Sequence, residues 1–426
     1  MWIARYLATA AILHAGAANA ATPDTWRFAF TATPPPGYTA VGPATIYNDQ
    51  TGFGFEPGSH SPEVGQKPFF FSADVPEGNH AVTVTFGDAT QPSTTTVKAE
   101  LRRLMLENVP AAARATVTRT FIVNTRTPRI AGGDGIPAGR VDLKVPRETV
   151  QEAWNWDRRL TLEMHGPVRT IEIRPAQVPT IFLLGDSTVC DQPGEPYASW
   201  GQMLPRFFKP EIAVANHGES GETYRDSLAR RRLEKIVSVL RPGDTVLMQF
   251  GHNDQKQIKQ GNGGPFTTYQ AEIKAHVEAI RARGGIPVIL SPMERRAFDA
   301  NGKVIGSLAD YARAAAQAAR ELHTAFIDLN AMSRPFYEAL GPEQSKAAFA
   351  QPAPDKTDNT HHNNYGSYEL AKAVVAGMQA ARVPAARYVV DGFAFDPARP
   401  DPVATFSVPA SPRHDNERPL GDEANR

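Results

Sequence analysis

From residue 180 onward, short apolar runs alternate with longer stretches of helical periodicity. The runs cover residues 181–184, 212–215, 245–250, 286–290 and 324–328. Between them, apolar residues recur at helical spacing over 230–240, 269–283 and 308–322, and a last helix is predicted over about 365–381. Such alternation indicates βαβ units, so we predict an α/β fold with a parallel sheet of about five strands.

The preceding region, from residue 21 to about 175, has the pattern of a β protein. Alternating residues at 81–86, 118–124 and 160–164 are separated by turn-forming sequences. We therefore predict an antiparallel β-sandwich domain over 21–175. Its aromatic residues at 47–55 and 154–156 are expected to fill the core, the alternative being a face on which sugar rings stack.

The two ends of the chain differ from these regions. Residues 1–20 resemble a secretory signal peptide, with a charge at Arg5, an apolar core and an A-x-A cleavage site at 18–20. A buried N-terminal helix is the alternative. No later run approaches the ~18 apolar residues of a membrane-spanning helix. We expect a secreted or periplasmic protein, and disorder in the polar, Pro-rich tail at 396–426.

Charge and cysteine content narrow the possible partners. The chain has 45 basic and 45 acidic residues and a formal net charge of zero. It therefore lacks a global electrostatic attraction to nucleic acid or to an anionic membrane, and neither is expected as a partner. Cys190 is the only cysteine, which excludes an intramolecular disulfide, and we expect it to pack as a small hydrophobic residue.

Polar residues follow three of the predicted strands and precede the last helix. Ser187 comes just after the first strand, 216–221 after the second, 251–254 after the third, and 358–361 lies before the helix. On propensity alone, the run 186–188 is better explained as a helix N-cap. In a parallel sheet, however, all four segments converge at the edge where the carboxyl ends of the strands meet.

This set of residues has the chemistry for acyl transfer. Ser187 would attack a carbonyl carbon after His361 accepts its proton, and Asp358 would orient the imidazole. The oxyanion hole would consist of the Ser187 and Gly221 backbone N–H groups and the Asn253 side chain. A glycine at 221 lets the backbone approach the substrate closely.

Neighbouring polar residues have simpler interpretations. His362 beside His361 suggests a metal site, but no cluster of Cys or carboxylate ligands completes it, so no metal is expected. His252 and Asp254 are expected to brace the loop that carries Asn253. Ser220 lacks the spacing of a nucleophile elbow.

The motifs resemble, in order, the four blocks of the SGNH (GDSL) hydrolases. The similarity is closer to the rhamnogalacturonan acetylesterase branch, through residues 185–189, 250–254 and 358–361 together with Asn216, Trp200, Gly201, Tyr365 and Gly366. It spans about 180–381 and implies a flavodoxin-like three-layer α/β/α domain, which we assign to 180–395. The region 21–175 resembles, more weakly, the galactose-binding-type β-sandwich found ahead of some bacterial members.

The resemblance implies a carbohydrate esterase that removes O-acetyl groups from a plant cell-wall polysaccharide, above all rhamnogalacturonan (pectin). Its partner would be an acetylated polysaccharide or oligosaccharide, and no metal or organic cofactor is implied. The alternatives are an esterase for xylan, another glycan or a small lipid ester, an acetyltransferase, and a catalytically silent glycan-binding protein. A pure binder has no need of the set Ser187, Asn253, Asp358 and His361.

Overall fold

The structure, a computed structural model, describes residues 25–59 and 67–413. The expected signal peptide at 1–20 and the end of the expected tail at 414–426 lie outside the described residues. No helix within the described ranges is long and apolar enough to cross a membrane.

The first part of the chain forms two five-stranded sheets and a small two-stranded ribbon. Its strands are β1 (Trp26–Ala29), β2 (Thr39–Ala40), β3 (Phe53–Phe55), β4 (Phe69–Asp74), β5 (Gly78–Phe86), β6 (Ser93–Ala99), β7 (Arg103–Ala111), β8 (Val117–Thr125), β9 (Arg129–Ile130), β10 (Gly139–Arg140), β11 (Arg159–His165) and β12 (Val168–Pro175). The sheets have the orders β2-β1-β12-β5-β8 and β3-β4-β11-β6-β7. Only the β1–β2 pair is parallel among their described pairings.

The two sheets share one hydrophobic core. Val82 and Val84 from the first sheet and Phe55, Phe71 and Leu162 from the second belong to the same buried cluster. Side chains alternate across a strand, so each sheet presents one apolar face to the other. Phe55 therefore lies in the core, as we expected of the aromatic residues at 47–55, whereas Trp156 is buried outside this core, against Arg126.

The second part of the chain contains a parallel sheet of five strands in the order β14-β13-β15-β16-β17. These are β13 (Thr180–Gly185), β14 (Ala213–Asn216), β15 (Thr245–Gln249), β16 (Ile286–Leu290) and β17 (Ala325–Ile327). Counted within the sheet, the order is 2-1-3-4-5, that of flavodoxin-like folds. The predicted five parallel strands are confirmed.

Helices cover both faces of this sheet. They are α1 (Trp200–Met203), α2 (Tyr224–Ala229), α3 (Arg232–Val239), α4 (Lys256–Lys259), α5 (Gln270–Arg281), α6 (Ala309–Glu321), α7 (Leu329–Gln344) and α8 (Asn364–Ala380). Leu183 and Leu247 pack with residues of α1, α7 and α8, whereas Phe182 and Val246 pack with residues of α3, α5 and α6. Successive residues of one strand thus face opposite layers, which gives a three-layer α/β/α arrangement.

The expected disorder of the tail is wrong for residues 396–413. Val408 is buried, and the Phe406 ring lies 5.7 Å from the Tyr365 ring, centroid to centroid. Ser411 Oγ donates to Glu163 Oε2 at 2.8 Å. The segment has no periodicity because tertiary contacts with both parts of the chain, rather than a regular element, hold it in place.

Gly185→Ala should destabilise the protein by about 1–3 kcal/mol, the range for inserting atoms into a packed site. A Cβ at this position would lie 2.3 Å from Val189 Cγ2 and 2.6 Å from the Gln249 carbonyl oxygen. The measurement is a denaturant titration of the purified variant. Gly264→Ala is the matched control, because a Cβ there would meet only Thr267 Oγ1, at 3.7 Å. Equal stability of the two variants would contradict the packing described for β13.

Candidate active site

Ser187 lies in a tight turn just past the carboxyl end of β13. Asp186 organises the turn: its carbonyl oxygen accepts from the Val189 N–H at 2.9 Å, and its Oδ1 accepts from the Thr188 N–H at 2.9 Å. Gln192 Nε2 donates to the Ser187 carbonyl oxygen at 2.6 Å. These bonds fix the backbone of Ser187, which is 3% exposed.

A chain of hydrogen bonds joins the predicted nucleophile to the predicted base. Ser187 Oγ lies 2.9 Å from His361 Nε2, and His361 Nδ1 lies 3.1 Å from Asp358 Oδ2. Asp358 Oδ1 also accepts from the backbone N–H groups of Thr360 and His361, at 2.8 and 3.0 Å. The three side chains are therefore connected in the order that serine-mediated acyl transfer requires.

Asp358 is held in its ionised form. Burial raises the pKa of its carboxyl group, but the hydrogen bond and charge of His361, with the backbone donors, outweigh burial and hold the pKa below its usual range. An ionised Asp358 fixes the tautomer of His361 with a proton on Nδ1. The unprotonated Nε2 then faces Ser187 and can accept its proton.

The predicted oxyanion donors come from the loops after β14 and β15. Asn253 Nδ2 donates to the Glu222 carbonyl oxygen at 3.0 Å, which ties the two loops together. One amide N–H is used in this bond, and the second remains to donate elsewhere. Gly221 has φ +77°, in the left-handed region that favours glycine. Within the described chain, the backbone N–H groups of Ser187 and Gly221 have no hydrogen-bond acceptor.

The residues on either side of Asn253 brace its loop. His252 Nδ1 lies 3.3 Å from Asp186 Oδ2, which links this loop to the nucleophile turn. The Tyr311 hydroxyl donates to the Asp254 carbonyl oxygen at 3.0 Å. Burial, and then the charges of Glu272 and Asp186, raise the pKa of Asp254 well above its usual value. These contacts match the expected bracing.

His362 turns away from His361 into the interior. Its Nε2 lies 2.8 Å from the Tyr337 hydroxyl, and its ring lies 4.3 Å from the Phe349 ring. Burial, and then the charge of His361, lower the pKa of His362 to about 3. The two histidines therefore do not face a common point, as metal ligands would have to.

Two other potential nucleophiles, Ser220 and Cys190, are buried and held in unreactive states. Ser220 Oγ accepts from Arg147 Nη2 at 3.0 Å and lies 3.5 Å from the Cys190 sulfur. Burial, and then the charges of Glu219 and Glu152, raise the pKa of Cys190 well above its usual value. Cys190 is thus a buried neutral thiol, as expected of a small packed residue, although polar groups of Ser220 and Gln192 lie beside its sulfur.

No sequence pattern indicates that residues 144–152 contribute to this site. Lys144 Nζ donates to the Ser220 carbonyl oxygen and lies 2.8 Å from Glu222 Oε1. Arg147 Nε lies 3.2 Å from Glu219 Oε1. Two cations from before β13 therefore hold the loop that carries Gly221.

Three buried carboxylates in this area approach one another. Among the described residues, Glu148, Glu152 and Glu219 have oxygens within 4.8 Å of one another, close enough to share a metal ion. Arginines already face all three: Arg147 Nε lies 2.7 Å from Glu152 Oε1, and Arg232 Nη2 lies 2.6 Å from Glu148 Oε2. Guanidinium groups thus supply the compensating charge that a cation would bring.

Residues 183–367 match the GDSL-like lipase/acylhydrolase family. The rhamnogalacturonan acetylesterase RhgT of Bacillus subtilis is 36% identical over 227 residues, which cover 51% of this chain and 95% of that protein. The chain belongs to the GDSL-like lipase/acylhydrolase family. The predicted SGNH (GDSL) membership is confirmed, and with it the prediction of a carboxylic ester hydrolase.

Two further relatives extend the comparison of this GDSL-like hydrolase. The probable rhamnogalacturonan acetylesterase YesY of Bacillus subtilis is 30% identical over 214 residues, covering 49% of this chain and 97% of that protein. The uncharacterized esterase YxiM of the same organism is 25% identical over 390 residues, covering 84% of this chain and 91% of that protein. Similarity to YxiM therefore reaches into the region that precedes the hydrolase fold.

Lys144→Met should destabilise the protein by about 1.5–3 kcal/mol, because a hydrogen bond to a charged group is lost and Glu222 loses a cation. The loss should concentrate in the Gly221 loop, where amide hydrogen exchange should become faster. Lys144→Arg is the control and should retain most of the protection. Unchanged exchange in the Met variant would mean that Lys144 does not hold this loop.

Proposed function

We propose that this GDSL-like hydrolase is an exported esterase that removes O-acetyl groups from rhamnogalacturonan. The observation that carries the mechanism is the hydrogen-bonded series Asp358, His361 and Ser187, with Asn253 and Gly221 on the adjoining loops. The relatives named rhamnogalacturonan acetylesterase support the substrate.

In the first half of the reaction, Ser187 Oγ attacks the acetyl carbonyl carbon and its proton passes to His361 Nε2. Asp358 stabilises the imidazolium that forms. As the tetrahedral intermediate collapses, the C–O bond to the sugar breaks and His361 returns the proton to the departing sugar oxygen. The acetyl group remains on Ser187 as an ester.

The tetrahedral intermediate carries its negative charge on the former carbonyl oxygen. The backbone N–H groups of Ser187 and Gly221 and the free Asn253 amide N–H would donate to it. Donors fixed before the reaction need no reorganisation, and each is worth roughly 3–4 kcal/mol in other serine hydrolases. The contact between Asn253 and Glu222 holds two of these donors at a set separation.

The second half of the reaction repeats the first with water. His361 takes a proton from a water molecule, whose oxygen attacks the acetyl carbon, and collapse releases acetate while Ser187 regains its proton. No step in this sequence needs a metal or organic cofactor. An acetyltransferase would use the same acyl-enzyme but pass the acetyl group to a second hydroxyl.

The rest of the proposal concerns the chain outside the hydrolase fold. The two mainly antiparallel sheets with their shared core support a β-sandwich for the region that we assign to 21–175, and the galactose-binding type rests on the resemblance of that region. The signal-like residues 1–20 support export to the periplasm or beyond. A soluble polysaccharide substrate, rather than nucleic acid or membrane lipid, fits the zero net charge.

Asn253→Ala should lower kcat by ~10²–10³ and leave KM nearly unchanged, since an oxyanion donor acts mainly once charge develops. Steady-state hydrolysis of an aryl acetate measures both constants. Asn253→Asp should be at least as damaging, because a carboxylate repels the oxyanion. Thermal melts must accompany the kinetics. A raised KM with unchanged kcat would identify Asn253 as a ground-state contact and exclude it from the oxyanion hole.

Acetate release should be fastest from acetylated rhamnogalacturonan within a panel that includes acetylated xylan and partly acetylated chitin fragments. The measurement is enzymatic detection of free acetate at matched acetyl content. Release only from xylan would overturn the substrate while leaving the mechanism standing. Release from none, with intact binding to a glycan, would favour the catalytically silent binder.

A further inference from the structure

A second site lies where the antiparallel sheets meet the parallel sheet. A cavity of about 260 Å³ opens there between the end of β8, the start of β13 and helix α3. Its lining includes His80, Arg126, His217 and Lys235. Ser187, His361 and Asn253 are not among the lining residues, so the cavity is separate from the esterase site.

Arg126 is the feature of this cavity that needs an explanation. The residue is 3% exposed, and its Nε and Nη1 have no hydrogen-bond partner among the described residues. Its guanidinium carbon lies 4.4 Å from the centre of the Trp156 ring. A ring face attracts a cation but accepts none of its in-plane N–H groups. A buried charge without an ionic partner costs several kcal/mol, so the site favours an added anion.

Two of the three carboxylates whose charges act on Arg126 are committed to other cations, and burial raises the pKa of the third, Glu100, well above its usual value. Asp191 Oδ2 lies 2.7 Å from Arg103 Nε, and Glu148 Oε2 lies 2.6 Å from Arg232 Nη2. Burial, and then the charge of Arg103, lower the pKa of Arg126 to about 9. Arg126 is therefore the cation in excess.

The histidines in the cavity indicate that the ligand also carries hydroxyl groups. His80 Nε2 lies 2.8 Å from the Pro76 carbonyl oxygen, which can only accept, so this nitrogen bears the proton. Burial lowers the pKa of His80, which keeps the ring neutral and makes Nδ1 an acceptor. Nδ1 has no partner within the described chain, and the same holds for His217 Nδ1. A hydroxyl group supplies the donor that His80 lacks.

We propose that this cavity binds a small hydroxylated monocarboxylate of sugar-acid size, with its carboxylate on Arg126 and a hydroxyl group on His80. Because Lys235 already pairs with Glu77, only the charge of Arg126 remains uncompensated among the described cations of the cavity, and it matches a ligand with a single negative charge. At roughly 30 Å³ per water molecule, the volume exceeds what a simple inorganic anion needs. The proposal rests on the cavity alone and holds whether or not the esterase acts on rhamnogalacturonan.

Calorimetric titration with D-galacturonate is the test, with D-galactose, acetate and phosphate as comparison ligands. Galacturonate should bind the wild-type protein, and each of the other three at least about tenfold more weakly. Trp156 fluorescence should change during the titration, because a carboxylate bound to Arg126 changes the electric field that this arginine exerts on the indole ring. Phosphate binding as tight as that of galacturonate would overturn the hydroxy-acid assignment.

Variants assign the binding to this cavity. Arg126→Gln should weaken galacturonate binding by at least about tenfold, whereas Arg119→Gln, at an exposed position on β8, should not change it. Val239→Tyr narrows the rim at a position that is 42% exposed and should also weaken binding, which keeps the test decisive should Arg126→Gln not fold. Unchanged aryl acetate hydrolysis reports an intact fold. Absence of wild-type binding up to about 20 mM, or binding indifferent to both cavity variants, refutes the site.

Discussion

Neighbouring strands of a parallel sheet end at the same edge, and the candidate active site depends on this constraint. The order β14-β13-β15 places β13, which precedes Ser187, between the two strands whose loops carry Gly221 and Asn253. Donors from two sides can therefore meet a carbonyl oxygen bound at Ser187 without any long loop. His361 approaches from the segment before α8, which packs on one face of the sheet together with α1 and α7. Topology alone thus brings four separate segments to one point.

A second constraint is the charge buried between the early and late parts of the chain. Arg103 on β7 pairs with Asp191, four residues after the nucleophile, and Arg102 Nη2 lies 2.7 Å from Glu195 Oε1. Removing one partner of such a pair typically costs 3–5 kcal/mol, roughly half the stability of an ordinary domain. The region before β13 is thereby tied to the hydrolase fold, and its segment 144–152 contributes to the loop beside Ser187.

The sequence predicted the features that follow from local periodicity. The five strands, the helices α3, α5, α6 and α8 and the segments that follow the strand ends were predicted, because apolar runs and helical spacing are local signals, whereas helix α7 was not. The pair Asp358 and His361 was accessible for the same reason, being three residues apart. Lys144 and Arg147 were not, since their contacts join residues 76 and 72 positions away.

The ordered tail is another feature that local periodicity does not predict. A polar, Pro-rich segment carries no periodic signal, yet residues 396–413 are ordered through contacts such as that of Ser411 with Glu163. The uncompensated charge of Arg126 could not be predicted from the sequence either, because it depends on which carboxylates pair with other arginines. The folded structure determines which distant charges pair, and local sequence patterns do not predict these pairs.

The central claim is that Ser187 is the nucleophile and that His361 activates it. Labelling with a diethyl aryl phosphate, followed by digestion and mass spectrometry, tests both parts in one experiment. The account predicts a diethylphosphoryl adduct on Ser187, with the aryl alcohol released, and near-complete loss of labelling in a folded His361→Ala variant. An adduct on Ser220 or Cys190, or full labelling of Ser187 without His361, would contradict it.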